Sequence, residues 1–412
     1  MPNWSGIWDL SAVVRARSTR LWPQQPGAPT SVSAAGGDEE ATVTFTAPTD
    51  TGVPAGITGY KVISDPGSIE ETGSSSPITV TGLTNGTPYT FTVQATNGVQ
   101  YGAAGTSGSV TPFAPRAFWI AGASSSSSYT NVIDYVEIGT TGNATDFGDL
   151  DVIRQGVTSC SSSTRGLLAG GKVDGYSNTS NIQYITLGSA GNSTNFGSLS
   201  LQGGHGIAAC SNSTTGVFAG GDGYSNVIQY ATIATTGGTS DFGDLSVGRQ
   251  YVSGCSSSTR GVFGGGFNGS YLNTIDYITI ASTGNATDFG DLTVGRSFAF
   301  GSNASCSNST RGLFAGGTFS GTSYSNIIDY ITIASPGNAT DFGDLSAGRA
   351  GTGAAASSTR ALFGGGEGAG SSKASTIYYV EIASTGNTSS FGDLTVGRSA
   401  ISACSSAHGG LS

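Results

Sequence analysis

The chain has 412 residues, long enough for two or three domains that each bury a core, and 26 acidic residues against 16 basic ones give it a net charge of −10. From Arg116 onward the basic residues are scattered rather than gathered in a stripe, which leaves a nucleic-acid groove without support. Two His and no Cys-x-x-Cys give neither a zinc site nor a redox motif, and no run approaches the ~20 apolar residues of a membrane span.

Residues 1–24 form a segment of their own. Trp4, Trp8 and Leu10 lie close together, and Arg15, Arg17 and Arg20 lead to Trp22-Pro23. Three tryptophans in so short a stretch are costly to leave in water, so the segment is expected to dock on a partner surface or pack against the next domain. The pattern carried by Gly6, Trp8, Leu10, Trp22 and Pro23 resembles the Gly-x-Trp-x-Leu and Trp-Pro segments of bacteriophage virion proteins. The start carries no basic region followed by an unbroken apolar stretch of secretory type.

Residues 25–114 change to period-2 alternation. Thr42–Phe45, Gly59–Ile63, Ile78–Val80 and Tyr89–Val93 read as strands separated by turn residues, which predicts a small β-sandwich. Leu83-Thr84-Asn85-Gly86-Thr87-Pro88-Tyr89 reads as a turn into a strand whose first Tyr bonds back to the backbone. From Pro26 to Pro112 this pattern resembles a fibronectin type III domain, with Phe45 in the place of that family's early core Trp.

Residues 115–412 repeat. Phe147, Phe196, Phe242, Phe289, Phe342 and Phe391 sit in variants of Asp-Phe-Gly-Asp-Leu at spacings of 49, 46, 47, 53 and 49, and Tyr135, Tyr184, Tyr230, Tyr277, Tyr330 and Tyr379 end variants of Ile-Asp-Tyr in the same register. Each unit reads as four short strands, in the fourth unit Gln250–Cys255, Arg260–Gly264, Thr274–Ile280 and Thr287–Leu292. Paired glycines such as Gly265-Gly266 mark tight turns, and insertions as in Gly317 to Ser325 mark a tolerant loop. The region begins at Arg116–Gly122 in the phase of a second strand and ends at Ser399–Ser405 in the phase of a first. Six units are therefore complete only if the last strand joins the first three. The expectation is an all-β chain with a six-bladed β-propeller closed by strand exchange. The order of apolar run, Gly-Gly, Tyr and terminal aromatic resembles the kelch-type propeller family, although the late aromatic is Phe in every unit where that family typically has Trp.

Several recurring residues invite a chemical reading. Cys160, Cys210, Cys255, Cys306 and Cys404 share one phase with Ala355, which favours a small buried apolar site over a ligand or disulfide. Asp146/Asp149, Asp241/Asp244, Asp288/Asp291 and Asp341/Asp344 are read as turn-capping groups rather than calcium ligands or glycosidase acids. Arg165, Arg260, Arg311 and Arg360 form one set, and Arg154, Arg249, Arg296, Arg349 and Arg398 another. Either could pair with the repeated Asp as a staple between blades or bind an acidic glycan, and the staple is preferred. The Asn-Ala-Thr and Asn-Ser-Thr triplets are read as turn geometry rather than glycosylation acceptors, and His205 and His408 nominate no triad.

No catalytic, cofactor or metal residue is named. The expected function is a phage virion structural protein, a tail or fibre-like component present in multiple copies. Residues 1–24 would dock on other virion proteins, and propeller loops would recognise protein or host-surface glycan. A capsid decoration protein and a secreted polysaccharide-active enzyme are the alternatives, the last requiring two or three acids gathered at one mouth.

Overall fold

The computed structural model describes residues 23–53, 56–125, 128–173, 177–200, 204–298, 304–320 and 323–411; the tryptophans predicted to dock, Trp4, Trp8 and Trp22, lie outside them. The chain divides after Ala114 into two compact units.

The first unit is a sandwich of seven strands: β1 (Thr30–Gly36), β2 (Glu40–Thr46), β3 (Gly59–Asp65), β4 (Glu70–Gly73), β5 (Ile78–Thr81), β6 (Thr90–Thr96) and β7 (Tyr101–Thr106). They form two sheets, ordered β1-β2-β5 and β4-β3-β6-β7. Alternate residues of β2, β3 and β6 point inward, and Val43, Phe45, Tyr60, Val62, Phe91 and Val93 share one core. Phe45 fills the predicted place, its ring centroid 4.7 Å from that of Tyr60. Tyr89 Oη accepts from the Thr84 backbone N–H at 3.1 Å, as expected of the turn. Strands β1, β4 and β7 were not legible because most of their side chains are exposed or half-exposed, so no apolar alternation marks them.

The second unit is built from antiparallel sheets, here numbered 1 to 6 with strands given from the inner edge outward. Sheet 1 consists of Ser402–Ser405, Arg116–Ser125, Ser128–Glu137 and Thr145–Gln155, with Lys172–Val173 added at its outer edge. Sheet 2 consists of Thr158–Ser161, Arg165–Ala169, Asn181–Thr186 and Thr194–Ser198. Sheet 3 consists of Ala208–Ser211, Thr215–Ala219, Val227–Thr232 and Ser240–Asp244, and sheet 4 of Ser253–Ser256, Arg260–Gly264, Thr274–Thr279 and Thr287–Asp291. Sheet 5 consists of Ser305–Ser307, Arg311–Ala315, Ile327–Thr332 and Thr340–Asp344, and sheet 6 of Gly353–Ala356, Arg360–Gly364, Thr376–Glu381 and Ser389–Asp393. A short hairpin, Thr318–Ser320 with Ser323–Tyr324, occupies the insertion predicted in the fifth unit.

The strand predicted to return does so. Ser402 pairs with Ile120, Ala403 with Trp119, Cys404 with Phe118 and Ser405 with Ala117. Both it and the fourth-unit inner strand are shorter than the sequence suggested. Tyr251 and Ala400 take left-handed backbone, φ 58° and 55°, and Gln250 pairs with Phe267, so regular pairing starts only at Ser253 and Ser402.

Inner strands are buried along nearly their whole length, which is why they read as short apolar or small-residue runs rather than alternating ones. Each pair of neighbouring sheets shares one hydrophobic cluster. Leu168 and Ile185 of sheet 2 meet Phe118 and Phe147 of sheet 1, and Leu362 and Phe391 of sheet 6 meet Trp119 and Val136 of sheet 1. Trp119 is completely buried and donates from Nε1 to the Gly353 carbonyl at 3.1 Å. Gly364 makes room for it, since a Cβ there would stand 2.6 Å from that nitrogen. The inner strand Ser402–Ser405 packs against those of both sheet 2 and sheet 6.

Candidate functional site

Most of the recurring polar residues are consumed between sheets. Arg249 reaches Asp276 at 3.0 Å, Arg296 reaches Asp329 at 2.8 Å, and Arg398 reaches Asp134 at 2.9 Å, with all six side chains fully buried. In each pair the Arg follows the outer strand of one sheet and the Asp lies in the third strand of the next. Burial lowers each guanidinium from its ordinary value, and the facing carboxylate opposes that shift. The staple was expected from the sequence, but its acid is the one in Ile-Asp-Tyr rather than the pair around the repeated Phe. Where the Ile-Asp-Tyr acid is replaced, no buried carboxylate among the described residues meets the Arg: Arg349 donates to Tyr378 Oη at 3.4 Å and to the Gly365 carbonyl at 3.5 Å, and Arg154 donates to the Gly170 and Asn181 carbonyls at 3.2 and 3.4 Å.

The second Arg set bridges sheets by a different route. Arg165 donates to the Ile233 carbonyl at 2.9 Å, Arg260 to Ile333 at 2.7 Å, Arg311 to Ile382 at 2.8 Å and Arg360 to Ile138 at 3.2 Å. Each guanidinium also lies over the repeated Tyr of its own sheet, within 4.3 to 4.9 Å of the ring centroid. Each of these arginines thus joins its own sheet to the next through a backbone carbonyl, and Arg360 also donates from Nε to Glu381 at 2.8 Å.

The Asp-Phe-Gly-Asp segment is the outer edge of each sheet, and the following sheet covers it. Gly284 N–H donates to the Phe242 carbonyl at 2.7 Å, Ala286 N–H to the Asp244 carbonyl at 2.8 Å, and Asn285 Oδ1 accepts from Asp244 N–H at 3.1 Å. Gly243, at φ 147°, is required there because a Cβ would fall 2.4 Å from the Gly284 carbonyl oxygen. Asn143, Asn192, Asn338 and Asn387 accept in the same way. The triplets containing these Asn therefore serve turn and edge geometry. The turn-capping role expected of the Asp carboxylates is seen at Asp341, which accepts from Gly343 N–H at 3.2 Å; the wider role of the segment is backbone pairing, since outer edges need cover.

The five cysteines are buried and unbonded to one another. Ala substitutes readily among them because each occupies a small gap: a Cβ on Gly216, Gly261 or Gly312 would lie 2.7 to 2.8 Å from the Sγ of Cys160, Cys210 or Cys255. Ala355 shares its cluster with Ala117, so small meets small there. Burial pushes the Cys255 and Cys404 thiols up to about 12.

Beside the cysteines runs a chain of hydroxyls that the sequence reading missed. Ser161 Oγ donates to the Ser405 carbonyl at 2.7 Å, Ser211 to Ser161 at 2.8 Å, Ser256 to Ser211 at 2.7 Å and Ser307 to Ser256 at 2.7 Å. Ser405 donates to Ala356, and at Ala356 the succession stops for want of a hydroxyl. A serine one residue after each Cys was the visible signal. These strands line a cavity of about 40 Å³ with His408, far below the about 300 Å³ of a small ligand pocket. His408 Nε2 donates to the Ser161 carbonyl at 2.8 Å, and Gly410 N–H donates to its Nδ1 at 3.1 Å.

A different end of the sheets carries a Tyr that recurs six residues before the repeated Tyr, as Tyr129, Tyr224, Tyr271 and Tyr324, among side chains that differ from sheet to sheet. The starts of inner strands and the connections between second and third strands meet there. In sheets 3 and 4 these segments bring together His205, Asp222, Tyr224, Tyr251, Phe267 and Tyr271. Tyr224 and Phe267 have ring centroids 6.1 Å apart, Phe267 and Tyr271 5.1 Å, and His205 and Tyr251 5.4 Å. Tyr224 is 45% exposed. Asp222 accepts from the Asn178 amide, and its other oxygen lies 3.9 Å from His205 Nδ1. Burial raises the Tyr251 phenol, with Asp222 and Tyr224 adding to the shift. In sheet 6 the corresponding connection holds Glu367, which pairs with Lys373 and accepts from Tyr324 Oη at 3.3 Å.

Residues 27–111 match the family model of the fibronectin type III domain, which the sandwich topology and the Tyr89 turn independently describe. Comparison of the chain with curated proteins gives no match. The class is thus an all-β protein in which a fibronectin type III domain precedes a unit of four-stranded sheets. No helix among the described residues is long and apolar enough to cross a membrane.

Proposed function

We propose that residues 115–412 form a closed, kelch-like six-bladed propeller, and that the chain is a phage virion structural protein of the tail or fibre type. In this role the propeller loops recognise a host-surface glycan or another virion protein. Closure is supported by the cyclic order of the contacts: sheet 6 packs on sheet 1 through Trp119 and Phe391, and Arg398 staples to Asp134. The virion assignment is supported by the Gly6, Trp8, Leu10, Trp22 and Pro23 pattern and by the charge-poor surface, 10% charged residues over the whole chain.

The observation that carries the recognition reading is a division of labour. The repeated Arg, Asp, Asn and Ser side chains described above bind neighbouring sheets, whereas the connections of sheets 3 and 4 bring the rings of Tyr224, Phe267 and Tyr271 together, the first exposed and the other two half-buried. Rigid scaffolds commonly place function in such loops. Deleting residues 1–24 and measuring incorporation into particles tests the docking half of the proposal. Loss of the protein from particles with the remainder folded is expected, and normal incorporation would remove the docking role.

A further inference from the structure

We propose that Tyr224, Tyr251, Phe267, Tyr271 and Asp222 form a binding platform for an uncharged saccharide; this deepens, and rests on, the recognition reading above. The first argument is strain. Tyr224 and Tyr251 both hold φ 58°, a backbone region that bulky residues rarely enter. The positions equivalent to Tyr251 in sheets 2, 3, 6 and 1 are Gly156, Gly206, Gly351 and Ala400, all likewise at positive φ. In sheet 5 the equivalent position holds Phe298; at the left-handed positions of the other four sheets Gly or Ala stands, and Tyr251 keeps an aromatic ring on the same backbone. Among the described residues of the repeat unit, the other non-glycine positions with positive φ are Ala121 and Ala400, so the two bulky cases fall in one cluster. Strain that persists in one place points to use of the side chain.

The second argument is chemical. Tyr224 is 45% exposed, and Phe267 and Tyr271 are half-buried, so ring surface is offered to solvent as a platform rather than enclosed as a cage. Sugar rings present apolar C–H faces that stack on aromatics and hydroxyls that donate to a carboxylate such as Asp222. The nearest guanidinium set is spent: Arg249 is fully buried on Asp276. The one carboxylate in the cluster would repel a uronate, sialate or phosphate.

The test uses the full chain. Isothermal titration with maltotriose, chitotriose and galactotriose as uncharged probes is set against sialyllactose, trigalacturonate and choline. The variants are Tyr251→Gly and Tyr224→Gly, which relieve strain as they remove the ring and are expected to leave the melting temperature unchanged or higher. Binding of an uncharged probe, weakened at least about tenfold in both variants, is the expected result. Preference for an anionic probe, binding of choline alone, or uncharged binding indifferent to both variants would overturn the inference. If no saccharide binds, yet particles carrying Tyr251→Gly lose adsorption to host cells, the saccharide is wrong and recognition stands. If saccharide binds and adsorption is unaffected, the platform stands and its role in adsorption falls.

Discussion

Arg398 donates to Asp134 at 2.9 Å across 264 residues of sequence, with both side chains fully buried. The bond joins the last outer strand to the third strand of sheet 1, so it ties the two ends of the repeat together beside the returning strand Ser402–Ser405.

A buried pair of this kind is sensitive to the loss of one partner alone. Asp134→Ala is expected to cost about 3–5 kcal/mol of stability because an unpaired guanidinium is left inside. The double variant Arg398→Met, Asp134→Leu should recover most of that loss. Urea unfolding of the wild type and the two variants checks this, and equal losses in the single and double variants would show the pair itself to be the stabilising unit.

The hydroxyl succession gives an opposite pair of expectations. Ala356→Ser supplies the missing donor to the Ser307 carbonyl and is expected to stabilise by about 0.5–1.5 kcal/mol. Ser256→Ala removes the bond to the Ser211 carbonyl and should destabilise by about 1–3 kcal/mol. A loss of stability in Ala356→Ser would mean that the sixth position has no room for oxygen.

Thiol chemistry should follow burial. Cys255 and Cys404 are pushed up to about 12, and Cys160, Cys210 and Cys306 are raised as well. Thiolate is the reactive form, so native protein at pH 8 should leave a disulfide reagent unreacted, and all five cysteines should titrate after denaturation. Rapid labelling of native protein would place a cysteine at the surface.

His408 makes one contribution dependent on pH. Burial lowers its imidazole below the ordinary 6.5, and the bond to Ser161 only partly opposes this. The docked ring accepts from Gly410 N–H at Nδ1, which requires the neutral form. An undocked ring therefore binds a proton first. The stability it contributes is fully present above pH 6.5 and is lost as the pH falls below 6.5 toward the lowered folded value. Comparing the melting temperature of the wild type with His408→Ala between pH 5 and 8 should show a difference that shrinks in the acid range.

Much of this architecture could be read from residues. The repeated Phe and Tyr gave the register of the sheets, and the phase of Arg116 and Ser399 located the pairing of Ser402–Ser405 with Arg116–Ser125. Long-range partners were harder to read. Asp134, Asp276 and Asp329 stood in a recognised motif, but their Arg partners lie across a sheet boundary that sequence distance hides. The aromatic platform was illegible for a different reason. Tyr224 and Tyr271 do recur, with Tyr129 and Tyr324, six residues before the repeated Tyr, but their meeting with Phe267 depends on packing between sheets 3 and 4 that spacing does not show. Edge strands such as Glu70–Gly73 were lost because exposure erases the apolar alternation on which a strand is recognised.

The central claim is the cyclic order of the six sheets, and distances between spin labels test it directly. Thr164, Thr259 and Thr359 are exposed residues at equivalent turns of sheets 2, 4 and 6. The buried native thiols should leave introduced cysteines as the labelled sites. In a closed ring, Thr164→Cys with Thr359→Cys should give the same separation as Thr164→Cys with Thr259→Cys, since each pair spans one intervening sheet. A separation about twice as large for the first pair, as a row of sheets would give, would contradict closure.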